Sequence, residues 1–193
     1  MAGTDAAPSG GDFAVAKAIV SFWRDAGPKR WFAKDAAFDA VIRERFEETR
    51  LFAASGRLDS WRETAEGALA LLILLDQFPR NLWRGSPRAF ATDPMARAVA
   101  RDALARGHDQ ATPADLRLFF HLPFTHAEDP ADQDLAVALG EALEQAGGPS
   151  AASAREHRDV IQRFGRFPHR NAVLGRPSTE TEDDFLANGG FAG

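Results

Sequence analysis

Every residue from Ala68 to Leu75 is apolar, within the run GALALLILLDQFPRNLWRG that spans residues 67–85. A helix made from it is hydrophobic all round and has to be enclosed by other elements. Asp76, Gln77, Arg80, Asn81 and Arg84 follow at once, with Pro79 among them. Proline in a helix removes a backbone hydrogen bond, so the spacing predicts that the central helix stops near Pro79. There it delivers a charged cluster to the edge of the core.

The rest of the chain also reads as helices. Phe13, Ala16, Val20 and Trp23 recur at helical spacing until Gly27-Pro28. Asp35 is a plausible cap for a second helix that turns Phe38, Val41, Ile42, Phe46 and Phe52 inward and ends at Gly56. Ser60 and Glu63 have the spacing of a capping box, which places the start of the central helix there. Asp93-Pro94, Thr112-Pro113 and Asp129-Pro130 are three further start signals. The first of these helices ends at Gly107, and the second carries Leu116, Phe119 and Phe120 until Pro123. The third sets Leu135, Ala138, Leu139, Ala142 and Leu143 on one face. Another helix runs from Ala151 to Phe164, and Thr179 to Glu182 opens a last short one. Sustained alternation is absent, which argues against strands. The expected fold is all-α, with about eight helices packed as antiparallel hairpins. They form a single domain over residues 11–193, behind a disordered tail over residues 1–10.

The chain has no cysteine, which removes disulfides and thiolate chemistry. A net charge of −5 gives no reason to expect nucleic acid as partner. No apolar run approaches the roughly 20 residues of a membrane span, so a membrane is not expected either. The stretch MAGTDAAPSGGD lacks the pattern of a signal peptide, and a cytoplasmic protein is expected. Arginine outnumbers lysine 20 to 3, supplying many rigid forks for carboxylate or phosphate.

Two segments are near-duplicates: Phe78-Pro79-Arg80-Asn81 and Phe167-Pro168-His169-Arg170-Asn171. They read either as helix terminators or as two matching loops that present Arg and Asn to one cavity. Asp76 reads as a carboxylate at a buried helix C-terminus, opposed by the macrodipole and in need of a cation. Arg80, Arg166 and Arg170 are the candidates. Between His121 and Asp132, His121, His126, Glu128, Asp129 and Asp132 offer hard ligands, yet their spacing matches no recognised metal motif. Asp129 is better read as a helix cap and Asp132 as first-turn charge, so neither a metal nor a cofactor is expected. His157 shares the apolar face of its helix with Val160, Ile161 and Phe164, whereas His169 lies in a loop among arginines and is the better acid–base candidate. Residues 128–144 hold six acids and no base, while residues 155–176 hold six arginines and two acids.

Trp31-Phe32 with Phe38-Asp39, LLDQFPRN (74–81), AFATD (89–93), LPFTHAEDPADQ (122–133) and HRDVIQRFGRFPHRNAVLGRPST (157–179) resemble the bacterial domain-of-unknown-function family 924, over about residues 15–187. The resemblance implies an all-helical, tetratricopeptide-like, right-handed superhelical fold and no established activity. The chain departs from the family pattern at His121, where tyrosine is usual, and His121 is set aside as a ligand. Thr125 departs similarly and reads as packing.

Two functions are expected from these residues. In the first, a pocket binds a small anionic molecule through Arg80, Arg166, Arg170 and His157, with Gln77, Asn81 and Asn171 orienting it. His126 or His169 then serves as acid or base, with Asp76 or Glu128 holding the imidazole. In the second, the helical hairpins form a non-enzymatic surface for a peptide or protein, on fold analogy alone. A homodimer is compatible with either.

Overall fold

The computed structural model describes residues 10–191. The tail expected to be disordered falls outside them, apart from Gly10, which opens the first helix. The described residues are all-α, with no strand among them. They group into two compact units, residues 10–84 with 88–120 and residues 85–87 with 121–191.

The first unit comprises α1 (Gly10–Ala26), α2 (Pro28–Trp31), α3 (Ala36–Ala54), α4 (Ala65–Leu72), α5 (Phe78–Leu82), α6 (Asp93–Ala105) and α7 (Ala114–Arg117). As its composition dictates, α4 is the enclosed element, and every residue from Ala68 to Leu75 is at most 2% exposed. Helices α1 and α6 pack on α4, and α3 packs on the turn that follows it. Phe22, Trp23, Trp31, Phe38, Phe46, Phe78 and Phe119 interlock beside them, with ring centroids 4.9–6.4 Å apart. Such pairs add about 0.5–1.5 kcal/mol each beyond burial. The start of α4 differs from expectation. Residues 59–63 form a 3₁₀ turn, and Thr64 is the cap, accepting the Gly67 amide at 3.1 Å. Gly67 is required there because a Cβ would collide with the Trp61 carbonyl.

Nor does the helix stop at Pro79. After α4 the backbone widens into a π turn, Ile73–Gln77, and continues as α5 with Pro79 in its first turn. The Phe78 amide reaches back five residues to Ile73. Proline has no amide to offer the Leu75 carbonyl, and the Thr92 hydroxyl takes that role at 2.5 Å. The Asp76 carbonyl accepts from Arg80 at 2.8 Å. Side-chain donors thus replace the lost ladder, and the helix survives its proline. Asp76 is therefore an interior position of a continuous helix rather than a C-terminal one.

The second unit holds α8 (Leu122–Thr125), α9 (Pro130–Gln145), α10 (Ala152–Phe164) and α11 (Glu180–Ala187). The caps at Asp129 and Thr179 are as read, the latter a complete capping box with Glu182. The buried face of α9 is rotated from the expected one. Ala138 and Ala142 are exposed, whereas Gln133, Ala136, Val137 and Leu143 are buried. The reason is Gln133, which looks like a surface residue. Its amide donates to the carbonyls of Thr125 and Ala127, both at 2.7 Å, and so pins the chain after α8 onto α9. Phe13, Val41 and Phe52, expected inside in the first unit, are 39%, 38% and 38% exposed.

Candidate functional site

Around the π turn, Asp76 is fully buried and Gln77 nearly so. The Gln77 amide donates to Asp76 Oδ2 at 2.5 Å, and Arg80 Nη1 lies 3.2 Å from Asp76 Oδ1. Arg80 also forks onto Asp93 at 2.9 and 3.0 Å. Burial disfavours the charge on Arg80, but Asp76 and Asp93 outweigh it and hold the guanidinium above its ordinary pKa. Asp93, read from sequence as a cap, is thus an ion-pair partner, and Thr92 occupies the cap position of α6. Asn81 turns away from this group and donates to Asp39 at 2.8 Å, where Arg84 also bonds.

The second unit gathers the other candidates. The two Phe-Pro segments are not matching loops, for the first is helical and the second is a 3₁₀ turn, Pro168–Arg170. Phe167, just before that turn, is fully buried against Val160 and Ile161. Its ring lies 5.5 Å from the ring of His157 and 5.6 Å from that of His169, and the Arg170 guanidinium stacks over it at 4.4 Å. His126 stands 6.3 Å from His157, ring to ring, and Arg170 donates to the His126 carbonyl at 3.0 Å. Phe191 packs on both His157 (4.4 Å) and His169 (5.2 Å). His157 Nδ1 lies 2.7 Å from the Ser153 carbonyl. A carbonyl only accepts, so Nδ1 carries the proton.

Charged pairs frame these rings. Glu128 accepts from the Phe167 amide at 2.7 Å and from both terminal nitrogens of Arg176 at 2.6 and 3.0 Å. Burial pushes its carboxyl up, but Arg176 and the Phe167 amide more than reverse this and hold it below its ordinary value. Arg176 also donates to Asn171 Oδ1, and Asn171 Nδ2 reaches Ser178. Arg166 forks onto Glu182 with both contacts at 2.7 Å. The acid-rich and arginine-rich segments therefore meet as pairs between elements, as Arg155 with Glu141 and Glu144 also shows. Among the described residues no group of three His, Asp or Glu side chains is arranged to hold a metal ion. Sequence reading missed Thr92 and Gln133, whose roles are hydrogen bonds to backbone carbonyls outside their own helix. Their one early signal is a polar residue beside a proline-broken helix or on a core-facing stripe.

Glu182 makes an acid-sensitive joint. The Arg166 fork and the Thr179 groups outweigh the burial that opposes them, and lower its carboxyl from 4.5 to about 2. A depressed folded-state pKa contributes stability above the ordinary carboxylate value and loses it as pH falls toward the folded one. Discounted for the solvent reaching Arg166, about 1–2 kcal/mol is expected to disappear between about pH 5 and pH 2. Urea titrations across this range should show that slope in the wild type and a flatter one in Glu182→Gln.

The chain is similar to a protein of unknown function from Agrobacterium tumefaciens whose structure is solved. The two are 53% identical, with a TM-score of 0.87 over 91% of this chain and 98% of that one. No curated protein matches the chain. The family model described as bacterial protein of unknown function (DUF924) matches residues 19–190, and the chain belongs to that family.

Proposed function

We propose that the second unit binds a small anionic molecule among His126, His157, His169 and Arg170, with His169 or His126 able to exchange a proton with it. The observation that carries this reading is the grouping of three imidazoles from three elements. One follows α8, one lies on α10 and one is in the 168–170 turn, with Phe167 and Phe191 between them. Imidazoles so grouped favour an anion, because each becomes a double donor when protonated. Phe191 also lines a cleft of about 490 Å³ between α10 and α11, together with Arg163, Phe164 and Phe185. That cleft gives an apolar ligand body a place beside the rings. Glu128, Arg166, Asn171 and Arg176 act as the frame. In the first unit Asp76, Gln77, Arg80 and Asn81 are spent on one another and on Asp39 and Asp93, and they hold the π turn.

The test is an NMR titration of the histidine ring protons with small phosphates and carboxylates. Binding should shift the signals of His126, His157 and His169 together and raise their titration midpoints. His169→Gln should weaken it by roughly tenfold, as loss of one charged hydrogen bond does. A ligand that moves only His108, a half-buried histidine of the first unit, or that binds His169→Gln unchanged, defeats the proposal.

A further inference from the structure

Two aspartates and an arginine line one cleft of the first unit without pairing across it. The cleft, about 370 Å³, opens between the end of α1, α2 and the first turns of α3. Phe22, Phe38 and Val41 give it an apolar floor, with the two rings stacked 5.4 Å apart at 11°. Val41 is left 38% exposed there, although its neighbours Phe38 and Ile42 turn into the core. Asp25, Arg30 and Asp35 stand around this floor. The Arg30 guanidinium carbon lies 5.8 Å from the Phe38 ring centroid. Asp35 accepts the amides of Ala37 and Phe38 through Oδ1 alone, at 3.0 and 3.1 Å. Both charged groups therefore sit beside Phe38. Asp25 comes from the last turn of α1, just before the Gly27 turn into α2. Trp31 Nε1 donates to the Trp23 carbonyl at 2.6 Å, which fixes α2, and Arg30 with it, against α1. Among the described residues no side chain forms an ion pair or hydrogen bond with Asp25 or Arg30, and none reaches Oδ2 of Asp35.

We infer that this cleft binds a free α-amino acid with a large apolar side chain. Both signs of charge presented over one apolar floor match a ligand that carries both signs beside an apolar body. The ligand carboxylate takes the planar fork of Arg30, a geometry that suits guanidinium and carboxylate alike. The ammonium has three hydrogens to donate to the carboxylates of Asp25 and Asp35. The side chain covers Phe22, Phe38 and Val41 and removes their surface from water. Other small ligands each leave something unanswered. A simple organic acid faces two carboxylates without a cation to offer them, an alkylamine leaves Arg30 without its anion, and glycine leaves the floor wet. A volume of about 370 Å³ lies at the lower end of ligand pockets and suits one amino acid rather than a peptide. The cleft lies wholly in the first unit, so the inference is independent of the imidazole group of the second and stands or falls separately.

The experiment uses the whole chain and follows the Val41 methyl resonances and the Ala37 and Phe38 amides. L-Leucine, glycine, N-acetyl-L-leucine and L-leucinamide are titrated in turn at one pH and ionic strength. Leucine should give saturable shifts at all three residues. N-Acetylleucine lacks the ammonium and leucinamide the carboxylate, and each should bind roughly tenfold more weakly or worse, the loss expected for one charged hydrogen-bonded contact. Glycine lacks the apolar side chain and should fall by a similar factor. Arg30→Gln and Asp25→Asn change exposed residues and should each weaken leucine by roughly 10- to 100-fold. The ligand series on the wild type decides if either variant fails to fold. Absence of saturable shifts with leucine, or shifts confined to residues outside the cleft, overturns the inference. So does any of the three other ligands binding as tightly as leucine, or wild-type affinity in a folded Arg30→Gln or Asp25→Asn protein.

Discussion

Arg80→Ala is expected to destabilise the first unit by about 3–5 kcal/mol, the range for breaking a buried ion pair from one side. Three acceptors each lose the Arg80 contact at once: the carboxylate of fully buried Asp76, its backbone carbonyl in the π turn, and Asp93 at the start of α6. The carbonyl matters as much as the carboxylates, because it belongs to the widened turn that lets the helix pass Pro79. Arg80→Lys keeps a charge but cannot fork, so it should fall between wild type and alanine. All four tryptophans, Trp23, Trp31, Trp61 and Trp83, lie in this unit, so fluorescence-monitored urea unfolding reads it alone. A shift below about 1 kcal/mol, the level of an exposed pair, would show that Arg80 is an ordinary surface cation.

Phe167→Ala should cost about 3–5 kcal/mol in the second unit, as expected when a buried phenylalanine is truncated in a packed core. Phe167 has no exposed surface and touches Val160 and Ile161 as well as the rings of His157 and His169 and the guanidinium of Arg170. Its removal therefore has a second consequence. The imidazoles lose the ring that spaces them, so their proton signals should converge toward solvent values even where the unit remains folded. Far-UV circular dichroism in urea gives the stability, and the histidine spectrum gives the spacing. Unchanged histidine signals at a lowered stability would mean that the grouping rests on Phe191 and the charged frame instead.

The helices could be read from the sequence because their signals are local. Asp35, Asp129 and the Thr179–Glu182 box are caps whose hydrogen bonds span three residues or fewer, and composition alone marks the run at 68–75 as enclosed. The misreadings at Pro79 and on α9 share a cause. In each, a backbone carbonyl is satisfied by a side chain from elsewhere, Thr92 for Leu75 and Gln133 for Thr125 and Ala127. Local pattern holds no information about such partners. Of the pairings around the candidate residues, Asp76 with Arg80 was foreseen, four residues apart on one helix, and the longer-range partners were not. Arg166 belongs to Glu182, Asn81 to Asp39, and Glu128 to Arg176.

The amino-acid order alone determined the all-helical class, most of the helix ends and the burial of the central run, since propensity, capping and hydrophobic period act over one or two turns. Tertiary structure decided which charges are neutralised and by whom. It also decided that a proline-bearing helix continues, that His157 and His169 share Phe167, and that Arg50 stands in the core without a counter-ion. Those outcomes depend on groups 17 to 39 residues apart in the sequence coming within 2.5 to 6.3 Å of each other, and only the packed chain sets those distances.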